Sequence, residues 1–225
     1  MLLLAIDTST TAITVALHDG SHVLAEVSTL DARAHAEHLA PNIRAALAHT
    51  GSTPADVTEV VVGTGPGPFT GLRVGIVTAH TFAFALGLPV HGVCSLDALA
   101  HDHWRRAEAP SGDLLVATDA RRKEVYAARY VLGEGGAARV AEPVVSRAAD
   151  LDEALRSLPT AGRGPLLYPD ALPHGVEPLD VSAAALADLA ARRLRAGEAL
   201  DGLEPMYLRR PDAAPTPPSQ KSTLG

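Results

Sequence analysis

The stretch Leu4-Ala5-Ile6-Asp7-Thr8-Ser9 (residues 4–9) is an apolar run that ends in an aspartate followed by small hydroxylated residues. A second apolar run, Leu114 to Thr118, also ends in an aspartate, Asp119. Turns and further strand-like segments follow both runs, which is typical of an antiparallel meander. The repeated pattern predicts an α/β protein built from two related lobes, of which the second is smaller.

Working outward from these runs, we expect a first lobe over residues 1–104 and a second lobe over residues 105–180. The first lobe has the order β-β-β-α-β-α-β, with helices over 34–50 and 71–86 that each end before a glycine. The second lobe contains strands over 114–118, 124–132 and 139–145. A late helix over 182–196, within a C-terminal segment 181–210, is expected to pack back on the first lobe. Residues 211–225 contain four prolines and are expected to be disordered.

The composition excludes several classes of protein. A net charge of −7 repels a phosphate backbone, so little direct binding of nucleic acid is expected from the chain alone. Cys94 is the single cysteine, which leaves no internal disulfide and no thiolate metal cage. The N-terminal apolar run lacks a basic region before it, and the stretch 74–93 is interrupted by polar residues and a proline. We therefore expect a soluble cytoplasmic protein without a membrane span.

The helix over 71–86 carries small residues every four positions, at Gly71, Gly75, Ala79 and Ala83, and it is apolar on its other faces too. Such a helix is buried on more than one side. The small residues form a ridge that lets another helix approach closely, and that helix is either a partner's or an internal neighbour. The sequence pattern leaves both alternatives open; if the neighbour is a partner, the candidate interface on this helix and the one before it consists of Leu39, Ile43, Leu47, Gly71, Leu72, Gly75, Ile76, Ala79 and Ala83.

Three further groups are candidates for ligand chemistry. The glycine- and proline-rich segment 63–71 before this helix has the composition of a phosphate cradle but neither a Walker nor a dinucleotide spacing. His35, Glu37 and His38 lie within one helical turn, although a third ligand beside the two histidines is not evident. The strand-end residues Asp7, Thr8, Ser9 and Asp119 are candidates for a vestigial nucleotide loop, while hairpin chemistry explains the two aspartates equally well.

Four segments together resemble the TsaB family, the dimerisation subunits of bacterial tRNA threonylcarbamoyladenosine synthesis: residues 4–9, 65–75, 119–126 and 205–209. The resemblance spans residues 2–209 and departs from the family at Pro68, where a serine is usual. It implies a duplicated actin-like (ribonuclease-H-like) fold. It also implies a role as a non-catalytic scaffold that pairs through its first two long helices with the catalytic relative TsaD.

The resemblance also bears on catalysis and on further partners. Ser95 and Leu99 stand where the catalytic relative has its two metal-binding histidines, so no metal and no cofactor are expected. An ATPase subunit would be a further partner, and the chain would pair with itself when alone. Two alternatives stay open: an ATP-dependent small-molecule kinase of the same fold, and a metallopeptidase-like protein that uses His35 and His38.

Overall fold

The protein is described by a computed structural model that covers residues 1–31, 34–107 and 110–209. The strands are β1 Leu3–Asp7, β2 Ala12–His18, β3 Val23–Leu30, β4 Glu59–Gly63, β5 Val90–Val93, β6 Gly112–Asp119, β7 Glu124–Gly133, β8 Gly136–Arg139, β9 Val144–Arg147, β10 Thr160–Ala161 and β11 Gly175–Val176. The helices are α1 His35–Thr50, α2 Phe69–Leu86, α3 Ser95–Arg106, α4 Glu153–Arg156, α5 Gly164–Leu167 and α6 Ala183–Arg195.

The two sheets repeat one topology. The first has the order β3-β2-β1-β4-β5, and the second has the order β11-β10-β6-β7-β8. Read from its other end, this order matches that of the first sheet, with β6 in the place of β1, and the second sheet has one additional strand, β9, which pairs with β7. In the first sheet, β1 pairs antiparallel with β2 and parallel with β4. In the second sheet, β6 likewise pairs antiparallel with β7 and parallel with β10. The predicted duplicated α/β fold is confirmed.

The first sheet is covered on both faces. Leu4, Ile6 and Val15 point into a core formed with α1 and α2. On the opposite face, Leu3 and Ala5 share a core with α3, α6 and the inner face of the second sheet. All five residues of β1 are buried, which explains why this strand reads as a continuous apolar run instead of an alternating one.

The last helix, α6, belongs spatially to the first lobe although it follows the second lobe in sequence. Four of its apolar residues are fully buried in the core beneath β1 and β2: Ala183, Leu186, Ala187 and Ala190. Ser182 caps its N-terminus by accepting a hydrogen bond from the backbone of Ala185 at 3.1 Å. The helix therefore covers the sheet face that α1 and α2 leave open.

One predicted strand differs from the structure, and one predicted segment lies outside it. The strand predicted over 139–145 is two strands, β8 and β9, which pair with opposite ends of β7. Pro143 lies between them and lacks the N–H that a continuous ladder needs. The tail predicted to be disordered, 211–225, lies outside the described residues. The lobe boundaries at 104/105 and 180/181 stay predictions.

Candidate functional site

A cleft of about 350 Å³ opens where the two aspartate-ended strands face each other. One wall comes from the loop after β1 and the start of α2, and the other comes from the end of β6 and the segment before α6. Its lining residues include Ser9, Thr10, His35, Thr70, Thr118, Asp119, Arg121, Arg163 and Asp180. Of the predicted vestigial nucleotide loop, Ser9 and Asp119 reach this cleft.

Asp7 is turned away from the cleft and fully buried. Its Oδ1 accepts hydrogen bonds from the backbone N–H and the hydroxyl of Ser9, at 2.8 and 2.7 Å. Its Oδ2 accepts from the Ser95 hydroxyl at 2.6 Å, and Ser95 in turn accepts from the backbone N–H of Gly65 at 3.0 Å. Thr8 is also used internally, because its hydroxyl donates to the carbonyl of Gly71 at 2.7 Å. Asp7 therefore ties the glycine-rich loop to the start of α3.

Burial raises the pKa of Asp7, while the hydrogen bonds from Ser95 and Ser9 oppose that rise. A carboxyl whose pKa is higher in the folded than in the unfolded state favours folding most when it is protonated. Its contribution to stability is therefore fully present below the unfolded pKa, near 4, and is lost as the pH rises through the folded pKa. Above that pH, the buried charge lowers the stability of the fold.

Asp7→Asn is expected to remove this pH dependence. The amide oxygen still accepts from Ser9, and the uncharged group is easier to bury than a carboxylate. The free energy of unfolding of the variant relative to the wild type should increase as the pH rises from 4 to 7. Urea denaturation at several pH values measures it. A difference that stays constant with pH would show that Asp7 titrates as it does in the unfolded chain.

The small-residue ridge of α2 faces the chain's own sheet and not an outside partner, which corrects the predicted interface. A Cβ added at Gly71 would press on the Thr8 carbonyl at 2.6 Å, and Ala79 and Ala83 are buried in the same core. The predicted residues Leu39, Leu72, Gly75 and Ile76 are buried there too. The small residues of the ridge allow α2 to lie close to the backbone at the end of β1.

The opposite face of α1 and α2 is exposed and carries an apolar groove of about 440 Å³. Val77 is 60% exposed and Phe84 is 81% exposed, which is unusual for side chains of this type. The groove is lined by Ala40, Ile43, Arg44, Leu47, Pro54, Val77, Thr78, Thr81 and Phe82. Ile43 and Leu47, two of the predicted interface residues, border the groove while most of their surface is buried. Val77 and Phe82 also line the groove but are not among the predicted interface residues, because α2 is apolar on every side and its sequence does not mark the exposed one.

By length and composition alone, α2 could also cross a membrane. That test is weak evidence for a single helix, because a core helix passes it as well. A third of the residues of α2 are buried within the protein, and they include the small-residue ridge that contacts the end of β1.

The C-terminal segment joins α2 to the second lobe. The Met206 N–H donates to the Thr64 carbonyl at 2.8 Å, and the Tyr207 ring stacks on Phe69 with 5.2 Å between ring centroids. Arg209 then forms an ion pair with Glu124 at the start of β7. The C-terminal segment therefore contacts both lobes, α2 in the first and β7 in the second.

The candidate metal ligands do not converge. His35 lies 3.3 Å from the carbonyl of Thr10, and His38 lies 3.7 Å from a carboxylate oxygen of Asp31. Within residues 1–31, 34–107 and 110–209, no three His, Cys, Asp or Glu side chains are placed to hold a metal ion. Leu99, which the resemblance places at the second metal-histidine position, is fully buried in the core.

Comparison with known proteins agrees with this architecture. The family model described as "TsaD: tRNA N6-adenosine threonylcarbamoyltransferase" matches residues 22–194. An uncharacterised protein of Mycobacterium tuberculosis is 49% identical over 215 residues, which cover 94% of this chain and 93% of that protein. The Escherichia coli tRNA threonylcarbamoyladenosine biosynthesis protein TsaB is 39% identical over 136 residues, 60% of this chain and 58% of that protein.

Among solved structures, YeaZ from Pseudomonas aeruginosa superposes with a TM-score of 0.78 at 31% identity, covering 92% of this chain and 99% of that chain. A second Pseudomonas aeruginosa structure, described as similar to the peptidase YeaZ, has a TM-score of 0.79 at 32% identity, with the same coverage. The fold and the cleft define the class first: a two-lobed, actin-like α/β protein. The chain belongs to the TsaD threonylcarbamoyltransferase family, as a TsaB-type member, so the resemblance seen in the sequence is confirmed.

Proposed function

We propose that the chain is a non-catalytic partner subunit for threonylcarbamoylation of the tRNA adenosine beside the anticodon. Its partner is the catalytic relative TsaD, and the exposed face of α1 and α2 is the docking surface. The apolar groove between these helices carries the proposal. An exposed apolar surface of this kind marks an interaction site in a protein of this size.

The non-catalytic part of the proposal is supported by the surroundings of Asp7. In the place where the catalytic relative has a metal-binding histidine, Ser95 donates its hydroxyl to Asp7 and accepts from Gly65. A serine and a leucine do not replace two imidazoles as metal ligands. Asp7 itself serves as the acceptor for three hydrogen bonds in the interior. Asp7→Asn should accordingly leave tRNA modification in cells unchanged, whereas a catalytic carboxylate would not tolerate the same change.

The docking part rests on the shape and chemistry of the groove. Val77, Thr81 and Phe84 lie on one side of α2 and project away from the ridge that contacts the sheet. The groove floor is apolar and Arg44 lies at its border, so a partner helix with an apolar stripe fits it. TsaD has helices that correspond to α1 and α2, and the two pairs would form a helical bundle. Without TsaD, a second copy of this chain would cover the same face.

Co-purification of the tagged chain from its own cell extract tests this proposal. The wild type should retain TsaD, and Val77→Arg should lose it while its circular dichroism spectrum stays unchanged. A charge placed in a desolvated apolar interface costs several kcal/mol, on the order of a hundredfold or more in affinity. Val131→Arg is the matched control, because Val131 is 45% exposed on β7, away from the groove. Equal retention of TsaD by both variants would rule out the groove as the docking surface.

Further members of the assembly follow from the same family relation. An ATPase subunit of the pathway would join the pair, and the complex would work in the cytoplasm. The isolated chain is expected to bind tRNA more weakly than about 10 µM near physiological salt, since its net charge of −7 opposes association with a polyanion.

A further inference from the structure

The turn between β6 and β7 has an unusual backbone. Arg121, Arg122 and Lys123 have φ angles of 61°, 53° and 64°, and they are the only non-glycine residues with positive φ in the described part of the chain. This left-handed region brings the Cβ of an L-residue too close to the backbone, and three such residues in succession are rare. Hydrogen bonds to Arg121 from both sides hold the turn: its N–H donates to Asp119 at 2.7 Å and its carbonyl accepts from Glu124 at 2.9 Å.

The residue types at this turn are not those that the backbone favours. The next hairpin of the same sheet, between β7 and β8, contains Gly135 and Gly136, and Gly136 takes a positive φ of 126°. At the β6–β7 turn, the chain has three long cationic side chains in conformations where glycine or asparagine would be less strained. Strain of this kind is retained where the side chains themselves have a function.

The turn lies at the mouth of the cleft, and all three of its cationic residues are exposed. Inside the cleft the charges are compensated, because Arg163 binds Asp180 through two nitrogens at 2.6 and 2.8 Å. At the turn itself, Arg121 lies 3.5 Å from a carboxylate oxygen of Asp119. Lys123 makes no ion pair with any residue that the structure describes, and the neighbouring Glu124 is engaged by Arg209. The turn therefore presents exposed cationic side chains at the edge of the cleft, and Lys123 carries a charge that no ion pair in the described part of the chain compensates.

We propose that the turn Arg121–Lys123 binds the phosphate backbone of RNA. The proposal rests on the function proposed above, which places the chain in a complex that acts on tRNA. Exposed cationic side chains on a turn can contact the phosphates of an RNA strand that runs across the protein surface. A free nucleotide would instead need enclosed cationic donors, and the two arginines that line the cleft, Arg121 and Arg163, are paired with the carboxylates of Asp119 and Asp180. The net charge of −7 makes this contact weak in isolation, so it acts as one of several contacts in the assembly.

Substitution by glycine distinguishes a role of the turn in RNA binding from a purely structural role. Lys123→Gly and Arg121→Gly each remove a charge and relieve a strained φ. Each should weaken binding of the full chain to tRNA by about fivefold at low salt and reduce the slope of log affinity against log salt by about one. The same variants should melt about 2 °C higher than the wild type. Lower affinity together with higher stability is the expected signature.

Three further variants serve as controls in the same fluorescence anisotropy assay. Lys123→Gln should lose affinity without a change in melting temperature, because it keeps the strained residue and loses only the charge. Lys123→Arg should keep the affinity. Arg195→Gln removes one charge from the exposed end of α6 and should change the affinity by less than about twofold.

Titration with ATP distinguishes a nucleotide from an RNA phosphate. The proposal holds if the turn variants weaken tRNA binding and leave any ATP binding as it is in the wild type. It is overturned if the wild type does not bind tRNA at low salt, if Arg195→Gln weakens binding as much as Lys123→Gln does, or if the turn variants lose ATP alone. Retention of TsaD by Lys123→Gly, measured in parallel, tests the docking proposal separately, because the turn lies outside the α1–α2 groove.

Discussion

Ala79→Arg is expected to unfold the chain. Ala79 has no exposed surface and lies within the core that α2 forms with β1 and β4. A long cationic side chain there has neither room nor a counter-ion, and the loss of stability should exceed about 5 kcal/mol. That is comparable to the entire stability of an ordinary domain. Urea denaturation and the soluble yield on expression measure the effect.

The neighbouring position supplies the control for this experiment. His80 is exposed on the same helix, so His80→Arg changes the size and charge of the side chain one position along without entering the core. It should fold as the wild type does. If Ala79→Arg instead folds normally and fails to associate with TsaD, the small-residue ridge faces a partner after all, as the sequence pattern by itself suggested.

Gly63→Ala should lower the free energy of unfolding by about 3 kcal/mol or more, although only one methyl group is added. Gly63 ends β4 beside β1, and a Cβ at this position would overlap the Asp7 carboxylate and lie 2.6 Å from the Ser95 hydroxyl. The carboxylate has no room to retreat, because its oxygens are held by Ser9 and Ser95. The change therefore disrupts a buried hydrogen-bond network and overpacks the strand end together.

Gly133→Ala is the matched control, since nothing lies within 4 Å of a Cβ added at Gly133. Its stability should stay within about 0.5 kcal/mol of the wild type. The double variant Gly63→Ala with Asp7→Ala tests the cause, because truncating Asp7 makes room for the new methyl group. We expect the two changes together to cost clearly less than the sum of the single changes. Strict additivity would mean that the clash lies elsewhere.

The sequence predicted the duplication because it depends on local patterns that recur. The two aspartate-ended strands and the meanders after them are visible as apolar runs and turns. The sequence does not indicate in the same way which side of α2 packs on the sheet. Leu72 and Ile76 lie on its buried side, and Val77 and Phe82 lie on other sides, so the helix has no polar stripe to mark its exposed face. The choice between the sheet and a partner is made by tertiary packing.

The candidate site shows the same limit. Asp7 and Ser95 are 88 positions apart, and nothing in the sequence indicates that they share a hydrogen bond. The strain in the turn at Arg121–Lys123 was equally hidden, because Ala-Arg-Arg-Lys is unremarkable as a four-residue hairpin connection. A strained residue is recognised from its φ angle, and a sequence contains no φ angle.

The position of α6 has a consequence for synthesis of the protein on the ribosome. The strands of the first lobe emerge early, but the helix that buries the inner face of their sheet is translated after the whole second lobe. Until then, the nascent chain exposes Leu3 and Ala5, which in the finished protein have no contact with water. Domains usually complete their folding in the order of translation. Here the N-terminal lobe is the last to close, and chaperones that bind exposed apolar strands have the longest access to it.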